Sequence, residues 1–323
     1  MPYGELVELA LYHPVHGFYS GAGKAGRRGD FITSPEVGPL FGHLVGRALD
    51  AEWNRLGQPS EFTVVDYGAG PGTLARSIAD GEPACSQAWR YLAIERSEAQ
   101  RAEHPDWVMS HSSLEDAAGD DPLVGVVIAN ELLDNLAFTP IVSTGGRLHE
   151  VVVDVGVEGL THRTGVELSK EQRSWFADGL SSGTLQDHAA QWLSASLDRL
   201  SAGRVIVLDY ARLSSSDVEV RTYAEHGRAG DPLTNLGNKD ITIDVDLAQL
   251  QARTRRADRI SSQADWLDAL GMGELVAAGR KIWDDAASIG DLAALKARSR
   301  IREAEALADP AGLGAFFVAE WIV

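Results

Sequence analysis

The strongest chemical signal in this sequence is a glycine-rich turn that follows an acidic residue. Residues 64–73 have the sequence VVDYGAGPGT, in which Asp66 precedes glycines at three alternate positions, Gly68, Gly70 and Gly72. Such glycines allow a tight turn between a strand and a helix, and they let the backbone approach a ligand closely. The turn therefore predicts a ligand over the carboxyl end of a strand, although the same sequence also suits an ordinary tight turn without a ligand.

Two classes of ligand compete for this turn. A dinucleotide site has the spacing G-x-G-x-x-G, because the pyrophosphate rests on the helix N-terminus. Here Thr73 stands where that fingerprint has its third glycine, and the carboxylate of Asp66 suits a cationic amino-acid group better than a pyrophosphate. A second acid, Glu95, follows the next apolar run and is placed to accept hydrogen bonds from ribose hydroxyls. The combination favours S-adenosylmethionine over a nicotinamide cofactor.

The elements that must position these residues are short apolar runs separated by helical segments. The runs lie at residues 62–66, 91–94, 107–109, 123–129 and 204–209, and helices are predicted over 36–56 and 74–79. Alternation of this kind is typical of a parallel sheet with helices on both faces. The carboxyl ends of parallel strands share one edge of the sheet, so we expect Asp66, Glu95 and the pair Asn130–Glu131 to lie along that edge.

The chain outside the sheet divides into an N-terminal extension and an insertion. We assign residues 1–60 to an extension and lid, which begins with a helix over 4–12 and a glycine-rich loop over 17–29. Residues 61–323 form the main domain, with an insertion at about 138–202 that contains a hairpin over 138–155 and helices over 167–201. Of the remaining segments, we predict that 211–242 is irregular, that 244–270 and 273–307 contain helices, and that 315–322 is a strand.

Four sequence blocks resemble a known family. They are residues 10–19 (ALYHPVHGFY), 29–36 (GDFITSPE), the glycine turn and 130–134 (NELLD), with shorter matches at residues 209–210, 231–233, 240–242 and 245–246. These blocks resemble the MidA-like methyltransferases, relatives of the mitochondrial complex I assembly factor that symmetrically dimethylates an arginine. The resemblance implies a class I methyltransferase fold, an α/β Rossmann-like sheet with helices on both faces. It also implies S-adenosylmethionine as cofactor and a protein arginine as one precedent for the substrate.

The resemblance and the spacing together give the candidate site residues. For the cofactor these are Asp66, Gly68, Gly70, Gly72, Glu95, Asn130, Asp30 and Thr33. For catalysis they are Glu131, Asp134 and Glu36, because a guanidinium acceptor needs carboxylates that hold the cation and a group that takes up a proton. Each catalytic candidate has a structural alternative: Glu131 binds the amino group of the cofactor, Asp134 caps the following helix, and Glu36 opens the 36–56 helix.

Two blocks depart from the family and leave the acceptor open. The family usually has DALP where residues 134–137 are DNLA, and DPLADPGE where residues 231–238 are DPLTNLGN. The second change removes two acids from a loop that we expect at the active site. Three functions follow: a protein methyltransferase acting on arginine, a small-molecule O- or N-methyltransferase, and a non-catalytic S-adenosylmethionine-binding assembly factor.

Composition excludes several classes of partner. The chain of 323 residues has 47 Asp+Glu against 29 Lys+Arg, and the resulting net charge of -18 argues against nucleic acid and anionic lipid. The single Cys85 rules out a disulfide framework and a multi-cysteine metal site. His13 and His16 lack neighbouring acids or cysteines, so we expect no metal.

Cellular location and assembly are predicted more coarsely. No apolar stretch reaches the ~20 residues of a membrane-spanning helix, and the start of the sequence lacks the basic residues of a signal peptide. We therefore predict a cytoplasmic protein. Trp175, Trp192 and Trp266 lie on amphipathic segments, where they pack either against the core or against a partner chain in a homodimer.

Overall fold

The computed structural model describes residues 1–20, 32–119, 121–157, 159–214, 219–224, 227–286 and 292–323. Its helices are α1 (Tyr3–Tyr12), α2 (Ser34–Val37), α3 (Pro39–Arg55), α4 (Thr73–Asp80), α5 (Glu98–Arg101), α6 (Leu114–Ala118), α7 (Lys170–Ser174), α8 (Asp187–Arg199), α9 (Leu247–Arg253), α10 (Gln263–Ala269), α11 (Met272–Ala286) and α12 (Leu292–Leu307). Its strands are β1 (Phe62–Tyr67), β2 (Trp89–Ile94), β3 (Met109–His111), β4 (Leu123–Asn130), β5 (Thr139–Thr144), β6 (Arg147–Gly156), β7 (Gly159–Glu167), β8 (Ser182–Leu185), β9 (Leu200–Asp209), β10 (Ala211–Arg212), β11 (Arg221–Ala224), β12 (Gly227–Arg228), β13 (Asp240–Thr242), β14 (Val245–Asp246), β15 (Arg259–Ser262) and β16 (Phe317–Ile322).

The chain forms two compact units, each built from three stretches of sequence. The sheet unit comprises Ile32–Asn130, Arg199–Leu208 and Asp258–Val323. The insert unit comprises the described residues of Met1–Phe31, Glu131–Asp198 and Asp209–Ala257. Residues 32–60, which we predicted to belong to an N-terminal extension, lie in the sheet unit. The predicted insertion at 138–202 lies in the insert unit as far as Asp198.

The sheet unit is organised around a seven-stranded sheet with the order β15-β16-β9-β4-β1-β2-β3. β1 pairs in parallel with β2 and with β4, β2 with β3, and β4 with β9, whereas β15 and β16 are antiparallel. The prediction of an α/β fold with a large parallel sheet is confirmed. The chain runs outward from β1 to β2 and β3 and then returns to the other side of β1 with β4. In open sheets of this kind, ligands bind at the carboxyl ends of the strands where the order reverses.

Apolar periodicity explains the core of the sheet unit. β1 and β4 are runs in which nearly every side chain is buried, as expected for strands covered on both faces. The core of helices and strands includes Leu40, Phe41, Leu44, Phe62, Val64, Leu74, Ile78, Val126, Ile128 and Trp266. Trp266 is therefore a core residue of the sheet unit.

One helical prediction in the sheet unit needs correction. The single helix predicted over 36–56 is divided into α2 and α3 at Gly38, where a Cβ would lie 2.3 Å from Glu303 Cδ, and Pro39 begins α3. The segment 244–270, which we predicted to contain helices, contains α9 and α10, and β15 lies between them and pairs with β16. β-Branched and small polar residues in Arg259–Ser262 suit this edge position, and tertiary pairing decides the outcome there.

The insert unit contains a four-stranded antiparallel sheet with the order β7-β6-β5-β8. The predicted hairpin is present as β5 and β6, joined through Gly145 and Gly146. The helix predicted over 167–201 is wrong in its middle, because Ser182–Leu185 pair with β5 as β8. β7 was missed because most of its side chains are exposed, so that its sequence lacks an alternating apolar pattern.

No helix among the described residues is long and apolar enough to cross a membrane.

Candidate functional site

The glycine turn of the sheet unit has backbone angles that require glycine. Gly68, Gly70 and Gly72 have φ of 67°, 54° and 79°, all in the left-handed region. Gly68 N donates a hydrogen bond to Ile94 O at 2.8 Å, which ties the turn to the end of β2. Gly72 then precedes α4, which begins at Thr73. The turn thus forms at the carboxyl end of β1, as the spacing predicted.

Glu95 closes the same turn from the end of β2. Its Oε2 accepts a hydrogen bond from Gly70 N at 3.1 Å, and its Oε1 accepts one from Ser97 N at 2.7 Å. Burial raises the pKa of this carboxyl, and the backbone N–H groups of Ser97 and Gly70 oppose that rise. Each carboxylate oxygen has a second lone pair, so Glu95 retains acceptor capacity for hydroxyl groups of a ligand.

His104 holds the other side of the glycine turn and was missed by sequence reasoning. Its Nε2 donates to Gly70 O at 2.7 Å, and its Nδ1 lies 2.8 Å from Ser110 Oγ. Burial lowers the pKa of the imidazole. The sequence gives no signal for this role, because the partners are separated by 34 residues.

Asp66 is a buried residue near the end of β1. Its side chain is only 2% exposed, and its Oδ2 accepts a hydrogen bond from Tyr91 Oη at 2.9 Å. Burial raises the pKa of Asp66 to about 7, although the hydrogen bond from Tyr91 acts in the opposite direction. Asp66 Oδ2 is therefore bonded to a buried tyrosine of β2. The contact of Asp66 with a cofactor stays a prediction.

The second half of the GDFITSPE block lies at the start of α4. Glu36 Oε1 accepts a hydrogen bond from Thr73 Oγ1 at 2.7 Å, and Glu36 N donates to Thr33 O at 2.9 Å. Ser34 Oγ donates to Gln263 Oε1 at 2.9 Å, which anchors α2 in the buried interior. Glu36 and Thr33 thus belong with the glycine turn in the sheet unit. Asp30 lies outside the described residues.

The chain passes from the sheet unit to the insert unit between Asn130 and Glu131. Asn130 is the last residue of β4, and Glu131 begins the insert unit. Glu131 has φ of 51°, a left-handed conformation that costs a residue with a side chain ~1 kcal/mol or more. Strained backbone of this kind is concentrated at functional sites, which supports a functional role for Glu131.

Asp134 and Asp209 meet at the turn that follows Glu131. Asp209 Oδ2 accepts hydrogen bonds from Leu133 N at 2.9 Å and from Asp134 N at 3.4 Å. Asp134 Oδ2 accepts one from Thr242 Oγ1 at 2.6 Å. Asp134 therefore does not cap a following helix, which was its structural alternative; its described side-chain partner comes from β13.

Asn135 links this turn to Asp240 and to the N-terminal block. Asn135 Nδ2 donates to Asp240 Oδ1 at 2.9 Å, and Tyr19 Oη donates to Asn135 Oδ1 at 3.0 Å. Tyr12 Oη donates to Asn135 O at 3.3 Å, and the rings of Tyr12 and Tyr19 stack with centroids 5.6 Å apart. The residue that departs from the family pattern at position 135 is thus central to the network. We call Glu131, Asp134, Asp209 and Asp240 the acid cluster.

Burial dominates the electrostatics of the acid cluster. Asp134, Asp209 and Asp240 are 5%, 1% and 4% exposed. Burial raises the pKa of Asp134 to about 6 and that of Asp240 to about 7, and it raises the pKa of Asp209 well above its ordinary value. The negative charge of Asp134 adds to the rise at both neighbours. A cationic group is the ligand that such a cluster favours.

Metal-binding geometry is not found in the described part of the chain. No group of three or more His, Cys, Asp and Glu side chains is arranged there to hold a metal ion. The stacked rings of His13 and His16 lie 5.1 Å apart, and His13 Nδ1 accepts hydrogen bonds from Val15 N and His16 N. These contacts are those of a turn.

Sequence comparison identifies relatives of this chain. Residues 44–264 match the model of a family described as "Putative S-adenosyl-L-methionine-dependent methyltransferase". The chain is 29% identical over 286 residues to the mitochondrial protein arginine methyltransferase NDUFAF7 homolog of Drosophila melanogaster, covering 76% of this chain and 64% of that protein. It is 39% identical over 74 residues to the human mitochondrial protein arginine methyltransferase NDUFAF7, covering 23% of this chain and 17% of that protein. The chain thus spans less than two thirds of the length of these curated relatives.

Solved structures show the same fold. A Burkholderia thailandensis protein crystallised with S-adenosyl-homocysteine superimposes with a TM-score of 0.84 at 21% identity, covering 100% of this chain and 88% of that one. A native crystal structure from the same organism gives a TM-score of 0.80 at 20% identity, covering 100% and 87%. The described fold is therefore shared over the whole length of this chain.

Proposed function

We propose, on the premise that the chain belongs to this family of S-adenosylmethionine-dependent methyltransferases, that it transfers a methyl group from S-adenosylmethionine to an arginine side chain of a protein. The proposal of the cofactor rests on the glycine turn, in which Glu95 accepts a hydrogen bond from Gly70 N. The observation that carries the acceptor is the buried acid cluster at the turn after β4.

The residues of the glycine turn fit the proposed cofactor. Gly68, Gly70 and Gly72 have left-handed backbone angles and no side chains, so that a ligand can approach the backbone at these three positions. Glu95 is held by two backbone N–H groups and offers its remaining lone pairs to the ribose hydroxyls. When bound, the cofactor supplies an activated methyl group, whose S–C bond breaks toward sulfur as an N–C bond forms and the acceptor nitrogen loses one proton.

The acid cluster fits a guanidinium acceptor. Carboxylates hold a guanidinium through paired hydrogen bonds and thereby align one nitrogen for transfer. Glu131 and Asp134 are the residues proposed to make these contacts, because both follow the carboxyl end of β4 directly in the chain. The curated relatives are named protein arginine methyltransferases, which supports the same acceptor for this chain.

The loop at residues 231–238 favours a small-molecule acceptor as a second candidate. It lacks two acids of the family pattern, and the adjacent Lys239 is bonded to it: Lys239 Nζ donates to Asp231 O and to Thr234 Oγ1. A Cβ at Gly237 would lie 1.9 Å from His16 O, so this loop packs tightly on the N-terminal block. Because the loop lacks these two acids, it offers fewer negative charges to a cationic side chain of a protein than the family pattern does.

The cofactor is tested by calorimetric titration of the full chain with S-adenosylmethionine and, separately, with NAD. We expect a stoichiometric binding isotherm for S-adenosylmethionine only. Binding of NAD without binding of S-adenosylmethionine would overturn the proposal.

The acceptor is tested with S-adenosylmethionine that carries an isotope-labelled methyl group. Incubation with a cell extract followed by mass spectrometry should find the label on arginine residues of protein. Label on a metabolite would favour the small-molecule candidate, and tight cofactor binding without any transfer would favour a non-catalytic assembly factor. Glu131→Gln should abolish transfer but retain cofactor binding; full transfer by this variant would remove Glu131 from the catalytic set.

Location and assembly remain proposals. The single Cys85 supports an intracellular, reducing environment, and the names of the curated relatives place those proteins in mitochondria. A homodimer is the assembly we propose, which sedimentation analysis of the full chain would test.

A further inference from the structure

We propose that Asp209 is a further residue of the acceptor site, where its carboxyl group and that of Asp134 together hold one proton that they release when the cationic acceptor binds. The proposal rests on the proposed function, since it takes an arginine side chain as the acceptor. Asp209 was not among the site residues that the sequence predicted.

The position of Asp209 is fixed by the turn that carries Glu131. Its Oδ2 accepts the N–H groups of Leu133 and Asp134, at 2.9 and 3.4 Å. These two bonds occupy one oxygen of the carboxyl group. They also join Asp209 to the turn after β4, across 76 residues of sequence.

The other oxygen of each carboxyl group is buried without a partner. Oδ1 of Asp209 and Oδ1 of Asp134 have no hydrogen-bond partner among the described residues. A buried charged oxygen without a partner is costly, and two neighbouring buried carboxyl groups do not both ionise readily. Either a proton or an incoming cation removes this cost.

The groups around the pair do not supply that cation. In the described part of the chain, five charged or titratable groups interact electrostatically with Asp134 or Asp209: Glu131, Asp240, Tyr19, Tyr210 and Arg221. Arg221 is the basic member, and it is ion-paired with Asp244. In the ion pairs formed within the described residues, neither Asp134 nor Asp209 has a lysine or arginine partner. Arg221 lowers the pKa of Asp134 without forming an ion pair with it, so a bound guanidinium would supply the direct charge partner that the two carboxyl groups lack among the described residues.

Charge balance connects this pair to the reaction. A guanidinium brings one positive charge, and the proton that leaves the pair carries one away. The ionised pair then takes up the proton that the acceptor nitrogen loses as its N–C bond forms. The methylated guanidinium leaves with its positive charge, and the pair is returned to its protonated state.

The proposal is tested by proton release on binding of a defined probe, Nα-acetyl-arginine amide. Calorimetric titrations of the full chain at pH 7, in buffers with different ionisation enthalpies, give the number of protons released per probe bound. We expect about one proton for the wild-type chain, because one shared proton is displaced. Asp209→Asn, which cannot ionise at this position, should reduce the release to near zero.

Asp246→Asn is the matched control. Asp246 is a buried aspartate of the same unit, and its Oδ1 accepts a hydrogen bond from Gln249 N at 2.8 Å at the start of α9. Asparagine serves equally well at such a helix start, so this variant should release as many protons as the wild type. If Asp209→Asn does not fold, as shown by its thermal unfolding, Asp134→Asn provides a second comparison. It should release fewer protons than the wild type, because the charge of Asp134 contributes to the raised pKa of Asp209.

The outcomes separate this proposal from the proposed function. Probe binding without proton release, or equal release from wild type and the aspartate-pair variant, overturns the shared proton and leaves the acceptor intact. Failure of the wild-type chain to bind the probe overturns the guanidinium acceptor, and the shared proton with it.

Discussion

Replacing Glu95 by glutamine tests how the end of β2 contributes to the cofactor site. Glu95 accepts the N–H groups of Gly70 and Ser97 with separate oxygens, at 3.1 and 2.7 Å. Glutamine has one acceptor oxygen, so its NH₂ group must face one of these two N–H donors. The lost hydrogen bond to a charged group lowers the free energy of unfolding by ~1.5–3 kcal/mol.

The same substitution weakens cofactor binding. The proposed ribose hydroxyls donate to a carboxylate in the wild type and to a neutral amide in Glu95→Gln. Loss of a hydrogen bond of this class corresponds to an increase of roughly tenfold or more in the dissociation constant. We therefore expect Glu95→Gln to bind S-adenosylmethionine at least tenfold more weakly than the wild type.

Calorimetry with S-adenosylmethionine measures the dissociation constant, and urea unfolding monitored by circular dichroism measures stability. Glu98→Gln is the control, because Glu98 is exposed at the start of α5 and should change neither quantity. A folded Glu95→Gln variant with the wild-type dissociation constant would refute the assignment of Glu95 to the cofactor site.

Three further predictions concern the sheet unit. Because burial raises the pKa of Asp66 to about 7, the folded chain binds more protons at this residue than the unfolded chain between pH ~4 and ~7, and stability falls as pH rises through this window. Urea unfolding at several pH values should show that Asp66→Asn removes part of this fall. An unchanged pH profile in the variant would contradict the prediction. His104→Ala removes the donor to Gly70 O, and the loss of ~1 kcal/mol should weaken cofactor binding about fivefold, as measured by calorimetry. If the variant binds the cofactor with the affinity of the wild type, this hydrogen bond does not support the turn. Glu36→Gln keeps an acceptor for Thr73 Oγ1 and should retain cofactor affinity, whereas the cofactor affinity of Glu36→Ala should fall severalfold in calorimetry. If Glu36→Gln binds the cofactor normally but loses methyl transfer, Glu36 has a catalytic role instead.

Apolar runs made the parallel sheet predictable. β1 and β4 are almost entirely buried, and such strands have continuous apolar sequences that do not depend on distant partners. The glycine turn was predictable for a related reason, since its left-handed angles restrict the residue type locally. The placement of Glu95 then followed from parallel pairing of β1 with β2.

Residues whose position depends on distant contacts were not predictable. Asp209 reaches the turn after β4 from 76 residues away, and Asn135 meets Asp240 across 105 residues. The hydrogen bond from Tyr91 to Asp66 was also not predictable, because 25 residues separate the two in the chain. β8 was predicted to be helical and β15 was not predicted, because their strand character comes from pairing with β5 and β16.

The central claim is that the glycine turn and Glu95 bind S-adenosylmethionine. A crystal structure of the full chain with S-adenosyl-homocysteine tests it most directly. We predict that the ligand lies against Gly68–Gly72 and that its ribose hydroxyls are within hydrogen-bond distance of the Glu95 carboxylate, ~2.5–3.0 Å. A ligand bound elsewhere, or ribose hydroxyls without contact to Glu95, would contradict the account.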